Sequence, residues 1–407
     1  MELGLERMAG LATARGLFRR RTPDFIHVAG TNGKGTTCAK IRAGLESAGV
    51  APVGLFTSPH VVTFRERIQV GCRLISEECA DALNEEIDAL ERDSGLSPTY
   101  FERLTLMALM HFEDEGVQAA VVEAGLGGLL DSTNVIPSPR VCVITSVGLD
   151  HQDFLGPTLE DIARNKGGII KAGSHVVVGP RVAPVQVLRE LADQAGAASF
   201  TQVDCPADAP LDLQNGTVAQ AALQRFGCEV PLAALEGERL PGRFERFVLP
   251  LSDGGAGAPA PRQVVLDGAH NPEAMQMLNR ELRRTFPGAR FTFVVAMAQN
   301  KDHRACLQAL SADLAVAAIL FSPSDNAART AAPDALVDAA RAAGLTSAPV
   351  ASHQDSLAAF DAAAARADPS EVIVVCGSFN VLGRLRVQRL RATDLELDAV
   401  NLNESKL

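Results

Sequence analysis

The sequence predicts an α/β protein in two parts: a P-loop-type, mostly parallel sheet domain over residues 1–240, then a smaller α/β domain over 241–407. Short β-branched runs alternate with longer stretches of helical period, the pattern of parallel strands joined by crossover helices. A glycine-rich turn, GTNGKG at 30–35, follows the first strand-like run and opens a helical stretch. A turn signal at Pro241-Gly242 separates two such sets, and 407 residues suit two domains of roughly 100–200 residues each.

In the first set the strand-like runs are Phe25–Ala29, Val53–Phe56, Ala119–Glu123, Val141–Ser146 and His175–Val178, each short and rich in apolar and β-branched residues. Helical spacing of apolar residues fills Thr36–Ala48, Ser76–Glu91, Phe101–Glu113, Leu159–Lys171 and Val185–Ala195 between them. Residues 196–217 are Pro- and Asp-rich and show no period, and a last helix is expected at Val218–Phe226. The second set reads as strand Phe244–Leu249, strand Gln263–Asp267, helix Glu273–Thr285 and strand Phe291–Ala296, with further units up to strand Val372–Cys376 and a C-terminal helix. Ser252–Arg262, rich in Gly, Ala and Pro, reads as a flexible hairpin connection, and Asn401–Leu407 as a frayed tail.

Composition narrows the function. Hydrophobic residues make up 47% and charged residues 21%, which excludes a disordered chain. With 38 basic against 49 acidic residues the net charge is −11, which argues against nucleic-acid or anionic-membrane partners. No stretch approaches a membrane span or an export signal, and eight scattered cysteines without a C-x-x-C pair suit reduced thiols in a cytoplasm. Only six of the cations are lysines, so a lysine inside a motif stands out. Lys40 and Lys406 read as surface charges.

Glycines in Gly30-Thr31-Asn32-Gly33-Lys34-Gly35-Thr36-Thr37 let successive backbone N–H groups face phosphate oxygens, the helix start adds positive potential, and Lys34 adds a charge. The match to G-x-x-x-x-G-K-[ST] is imperfect, because Val28 replaces the first glycine and Gly35 precedes Thr36. Glu123 stands where a strand runs out into Ala-Gly-Leu-Gly-Gly, either to reach a phosphate-bound metal or to cap a turn. Asp150-His151 ends another strand, His151 reading as a ligand or as a solvent-exposed side chain. Lys166 and Lys171, five apart on one expected helix, would be separated by about 140°.

Taken together, GTNGKGTT (30–37), FTSPHVVTFRERIQV (56–70), TYFE (99–102), VEAGLGGLLDSTNVI (122–136), ITSVGLDHQDFLG (144–156), IARNKGGIIK (162–171), PGRFE (241–245), LDGAHNP (266–272) and CGSFN (376–380) resemble the folylpolyglutamate synthase/dihydrofolate synthase family of the Mur ligase superfamily. The resemblance runs nearly end to end. It implies a Mur ligase central-domain-like fold followed by a Rossmann-like α/β glutamate-ligase domain, and an ATP-dependent ligase that adds L-glutamate to dihydropteroate and/or folylglutamates through an acyl phosphate. By that resemblance, Thr31, Asn32, Gly33, Lys34, Gly35 and Thr36 hold ATP phosphates, with Asn215, Arg243, Asp267, His270 and Asn271 contributing from the distal half. Ser58, Glu123 and His151 are the implied Mg²⁺ ligands, together with Lys166 as N6-carboxylysine. Lys34, Lys166, His151 and Glu123 are the implied catalytic set. Folate contacts are implied for Glu2, Leu3, Gly4, Leu5, Thr99, Tyr100, Phe101, Glu102, Leu130, Asp131 and Ser132.

Leu129 departs from the family pattern, which has arginine there. The resulting expectation is a cytoplasmic monomer acting on ATP, L-glutamate and dihydropteroate or reduced folates. Two alternatives remain: a Mur-type ligase for another carboxylate, and a catalytically silent nucleotide-binding protein.

Overall fold

The computed structural model describes residues 4–19, 22–206, 208–249, 262–324, 328–346, 348–368 and 370–390. Glu2, Leu3, Lys406, the loop at 252–261 and the tail at 401–407 lie outside the described residues. The chain forms two compact units: residues up to His60 with Phe64–Leu240, and Val61–Thr63 with the chain from Pro241.

In chain order the first unit comprises α1 (Glu6–Arg15), β1 (Asp24–Ala29), α2 (Lys34–Ser47), β2 (Val53–Phe56), β3 (Ile68–Val70), β4 (Arg73–Leu74), α3 (Glu77–Ser94) and α4 (Tyr100–Asp114). It continues with β5 (Ala119–Glu123), β6 (Val141–Ser146), α5 (Gln152–Leu155), α6 (Leu159–Gly167), β7 (His175–Arg181), α7 (Val185–Ala195), β8 (Ser199–Gln202) and α8 (Leu211–Phe226). Its sheet runs β4-β3-β2-β5-β1-β6-β7-β8. All neighbours pair in parallel except β2–β3 and β3–β4, which are antiparallel.

Strand order reverses at β1: the chain first builds β2 and β5 on one side, then β6, β7 and β8 on the other. At such a switch point the carboxyl ends of neighbouring strands part and leave a crevice, where ligands bind in open parallel sheets. Register sets its rim, since Val28 of β1 lies level with Glu123 of β5 and Val143 of β6. Both faces of the sheet are covered, which is why its central strands are apolar almost throughout. Phe25, Phe56, Ala120 and Val122 pack with α1, α3 and α4 residues such as Met8, Ile87 and Met107, while Ile26, Val28, Val121 and Val143 pack with α2 and α8 residues such as Ile41 and Leu223.

The second unit comprises β9 (Glu245–Leu249), β10 (Arg262–Leu266), α9 (Pro272–Thr285), β11 (Arg290–Val295), α10 (His303–Ser311), β12 (Ala315–Phe321), α11 (Pro333–Ala342), β13 (Val350–Ser352), α12 (Ser356–Arg366), β14 (Val372–Cys376) and α13 (Leu382–Gln388). Its sheet order is β13-β12-β11-β14-β10-β9, parallel except for β9 against β10.

Six elements differ from expectation. α1 and the short antiparallel strands β3 and β4 have no strong periodic signal, and β8 sits inside the stretch that looked aperiodic. α8 starts at Leu211, seven residues before the expected Val218, because the polar run Asp212–Thr217 forms its first turns. α6 ends at Gly167, not Lys171; it begins with a reciprocal capping box between Thr158 and Asp161 and stops at Gly167-Gly168. Lys166 and Lys171 therefore do not share a helix. Lys171 instead donates to the carbonyls of Asn134, at 2.8 Å, and Ile136.

Candidate active site

The turn after β1 is held from outside by β6. Thr31 N–H donates to Ser146 O at 3.0 Å and Asn32 N–H to Ser146 Oγ at 2.9 Å, while Thr145 Oγ1 donates to Asn32 O at 2.7 Å. The two glycines are needed by close approach. A Cβ on Gly30 would lie 2.0 Å from Thr145 Oγ1, and one on Gly33, whose φ is +84°, would lie 2.6 Å from Asn215 Oδ1. Lys34, the first residue of α2, folds back over the turn, with Nζ 3.0 Å from Gly30 O and 3.9 Å from Glu123 Oε1. With the Thr31 and Asn32 N–H groups committed to Ser146, the donors left for a ligand are those that open α2, with one lysine across them, which suits the phosphates of a nucleotide.

Asn215 belongs to the first unit, on α8. Arg181, at the end of β7, joins it: Nη2 lies 3.5 Å from the same Gly33 Cβ position. Arg181 carried no motif in the sequence.

Glu123 is buried at the end of β5, and its Oε2 accepts the Ser58 N–H at 3.0 Å. Hence the carboxylate and the serine expected to hold a metal are adjacent. Among the described residues no three His, Cys, Asp or Glu side chains gather as a metal cluster. Hard oxygen donors such as Glu123 and Ser58 nevertheless fit Mg²⁺, which commonly takes few protein ligands and completes its shell with water and phosphate oxygens. His151 lies past the end of β6, at φ +52°, with its side chain 39% exposed. The loop after Glu123 packs on the end of α6 that carries buried Lys166, since a Cβ on Gly127 would meet Asn165 Oδ1 at 2.4 Å and one on Gly128 would meet Lys166 O at 2.8 Å.

The segments assigned to folate adjoin the same loop. Phe101 touches Gly125, where a Cβ would stand 2.4 Å from Phe101 Cζ, and its ring centroid is 5.8 Å from that of Phe56. The Arg67 guanidinium lies over the Tyr100 ring at 5.8 Å. Leu130 is exposed beside Leu129, and Ser132 Oγ lies 2.8 Å from Thr105 Oγ1. Leu5 is the N-cap of α1, with Gly4 before it. Two acidic residues have backbone work. Glu102 and Thr99 form a reciprocal capping box, and Arg7 Nε pairs with Glu102 Oε2 at 2.8 Å. Asp131 Oδ2 accepts Leu126 N–H at 2.8 Å while Oδ1 accepts Thr133 N–H at 3.0 Å. Burial raises the Asp131 pKa, and these hydrogen bonds partly offset it.

In the second unit Asp267 also shapes backbone, its Oδ2 accepting Phe244 N–H and its Oδ1 Ala269 N–H, each at 2.8 Å. Asn271 caps α9 through Ala274 N–H, and His270 Nδ1 donates to Gly268 O at 2.8 Å. The Arg243 guanidinium stacks on Phe379 at 3.8 Å from the ring centroid. Glu245, paired with buried Arg386 at 2.9 Å, also accepts Gly242 N–H and so fixes the turn that presents Arg243.

The chain is similar to proteins of known family. Residues 28–202 match the Mur ligase middle domain and residues 242–379 the glutamate ligase domain of Mur ligases. The chain is 33% identical over 411 residues to the dihydrofolate synthase/folylpolyglutamate synthase of Escherichia coli K12, spanning 95% of this chain and 91% of the relative. Among solved structures, E. coli FolC in complex with DHPP and ADP superposes with a TM-score of 0.81 at 30% identity, covering 95% of this chain and 93% of that one. A bifunctional folylpolyglutamate synthase/dihydrofolate synthase with Mn, AMPPNP and L-glutamate bound gives 0.80 at 31% identity, covering 95% and 94%. With both domains matched in order and more than nine-tenths of each chain aligned, this protein belongs to the folylpolyglutamate synthase/dihydrofolate synthase family of Mur ligases, ATP-dependent ligases of glutamate.

Proposed function

We propose that the chain adds L-glutamate to dihydropteroate and/or folylglutamates through an acyl-phosphate intermediate. The observation that supports this most directly is the placement of Lys34 and Glu123 across one crevice, 3.9 Å apart, beside the backbone cradle of 30–33 and next to Phe101. Joining a carboxylate to an amine at neutral pH requires activation. The acceptor carboxylate first takes the γ-phosphoryl group of ATP, releasing ADP, and the glutamate amine then attacks the acyl carbon and expels phosphate. Negative charge builds on phosphate oxygens in both steps, and fixed donors that need not reorganise stabilise it best.

Lys34 and the N–H groups that open α2, which have no acceptor within the helix, bind those oxygens, and Arg181 adds a second cation at Gly33. Ser58 and Glu123, with His151 and carbamylated Lys166, would hold Mg²⁺, which neutralises phosphate charge when bound. By the family resemblance, Arg243, Asp267, His270 and Asn271 are also assigned to the nucleotide. Phe101 and Tyr100 offer aromatic faces to a flat pterin ring, while Glu102 and Asp131 fix the loops around it through the backbone contacts described above.

The eight free thiols suit a cytoplasmic setting, and among the described residues no helix is long and apolar enough to cross a membrane. We take the active species to be a monomer. The reaction is tested by phosphate release from ATP with L-glutamate and either dihydropteroate or a reduced folate. Release that depends on glutamate and on one of these acceptors is expected, and no release with either removes the assignment.

A further inference from the structure

Lys40 is not a surface charge. It lies on α2, two turns after Lys34, and is fully buried. Its ammonium stands 2.9 Å from Asp212 Oδ1 and donates to Leu235 O at 2.5 Å. Asp212 is in the first turn of α8 and is also approached by Arg239 Nε at 3.4 Å. A buried ion pair is weak evidence for added stability, because both charges lose their hydration. Its geometry is nonetheless stringent: the ammonium has to meet a carboxylate and a carbonyl together.

The geometry joins this pair to the nucleotide cradle. Asp212 and Asn215 are three residues apart on α8, so they share a face of the helix. Asn215 Oδ1 lies against Gly33, the residue before α2, at the spot a Cβ would fill. Farther along, Gly44 of α2 admits Leu223 of α8, whose Cδ1 would be 2.3 Å from a Cβ there. Apolar packing at Gly44–Leu223 sets how close the two helices come, but apolar contacts tolerate sliding. The Lys40–Asp212 ion pair joins the same two helices, and sliding one along the other would pull its two charges apart.

We propose that the Lys40–Asp212 ion pair is a positioning device for ATP: it fixes α8 on the phosphate-loop helix so that the Asn215 amide stays over Gly33. Lys40 and Asp212 act through Asn215 and are positioning residues. The proposal rests on the assignment of Asn215 to the nucleotide site, and the experiment separates the two.

The test compares Asn215→Ala, the double variant Lys40→Met/Asp212→Asn, and the triple variant, by melting temperature and by kcat and KM for ATP in the phosphate-release assay. The double variant removes both charges at nearly constant volume, so neither is left buried alone. Asn215→Ala is expected to raise KM for ATP roughly tenfold, and the double variant to do nearly the same with kcat little changed. The triple variant is expected to be no worse than Asn215→Ala alone. A double variant with native KM beside an impaired Asn215→Ala overturns the positioning role and leaves the nucleotide assignment standing. An Asn215→Ala protein with native KM overturns the nucleotide assignment itself. Independent, multiplying effects in the triple variant also overturn the proposal, since they show that the pair does not act through Asn215.

Discussion

His27 Nε2 lies 2.8 Å from Thr133 Oγ1, linking the phosphate-loop strand to the turn that carries Asp131 and Ser132. The Thr133 hydroxyl also donates to the Asp131 carboxylate, which can only accept when ionised. Its single proton being committed there, the hydroxyl accepts from His27, which places a proton on the imidazole Nε2. Burial, reinforced by the Lys171 charge, lowers the His27 pKa to about 3.

The consequence is a pH dependence of known sign. An unfolded chain protonates His27 below about pH 6.5, whereas the folded chain does so only near the lowered value. Stability from this group is therefore complete above about pH 6.5 and declines as pH falls toward 3, by up to about 1.4 kcal/mol per pH unit. His27→Gln keeps a donor and removes the titration, so its unfolding free energy should fall less steeply between pH 6 and 4, about one proton's worth. Asp131, raised by burial, contributes a slope of opposite sign, and both proteins share it. Equal slopes in chemical denaturation for the two proteins would refute the assignment of a neutral His27.

Gly33 and Gly49 have nearly the same positive φ, +84° and +82°, but differ in surroundings. A Cβ on Gly49 meets nothing within 4 Å, whereas one on Gly33 meets Asn215 Oδ1 at 2.6 Å and Arg181 Nη2 at 3.5 Å. Alanine at either position costs about 1 kcal/mol in backbone strain. Only Gly33→Ala should then displace Asn215 and Arg181, reducing kcat/KM for ATP by about 100-fold, while Gly49→Ala keeps wild-type kinetics with a lower melting temperature. Equal kinetic losses in both variants would mean that crowding at the cradle is irrelevant.

Arg181 was invisible in the sequence because nothing local marks it: a strand end, preceded by proline, in a chain where arginine is the common cation. Its placement over Gly33 predicts that Arg181→Ala weakens ADP and ATP binding roughly tenfold by calorimetry. Arg181→Lys should recover only part, since a lysine cannot reproduce the guanidinium fork. Native nucleotide affinity in Arg181→Ala would place the residue outside the binding site.

What the sequence displayed and what it hid divide along chain separation. The cradle of residues 30–37 and the strand end at Glu123 are contiguous motifs, so they could be read directly. His27–Thr133, Lys40–Asp212 and Ser146–Asn32 join residues more than 100 positions apart and leave no local pattern. Lys40 misled for a related reason, because a lysine inside a helix looks solvated until its partner on α8 is known. The short strands β3 and β4 have three and two residues, too few for any period to register. Glu102, Asp131, Asp267 and Asn271 read from the sequence as candidate site residues, and the structure shows them holding backbone N–H groups; a cap and a ligand use the same side chains, so the sequence could not separate the two.

Lys166 carries the last prediction. It is 3% exposed on the final turn of α6, and the Gly125–Gly128 loop that follows Glu123 rests on its backbone. A lysine amine in its neutral form adds CO₂ to give a carbamate. The carbamate is an anionic oxygen ligand, the kind of donor a metal beside Glu123 and Ser58 would take. With ¹³C-labelled bicarbonate, the wild-type protein should show a carbamate carbon resonance that is absent in Lys166→Ala. That variant should lose about 100-fold or more of its phosphate-release activity, and added bicarbonate should restore part of it by occupying the vacated volume. Lys166→Arg fills the volume with a cation that cannot be carbamylated, so it should be inactive and indifferent to bicarbonate. A fully active Lys166→Ala, or a wild-type spectrum without the labelled carbon, would leave Lys166 as a packing residue and return the metal to Ser58, Glu123 and His151 alone.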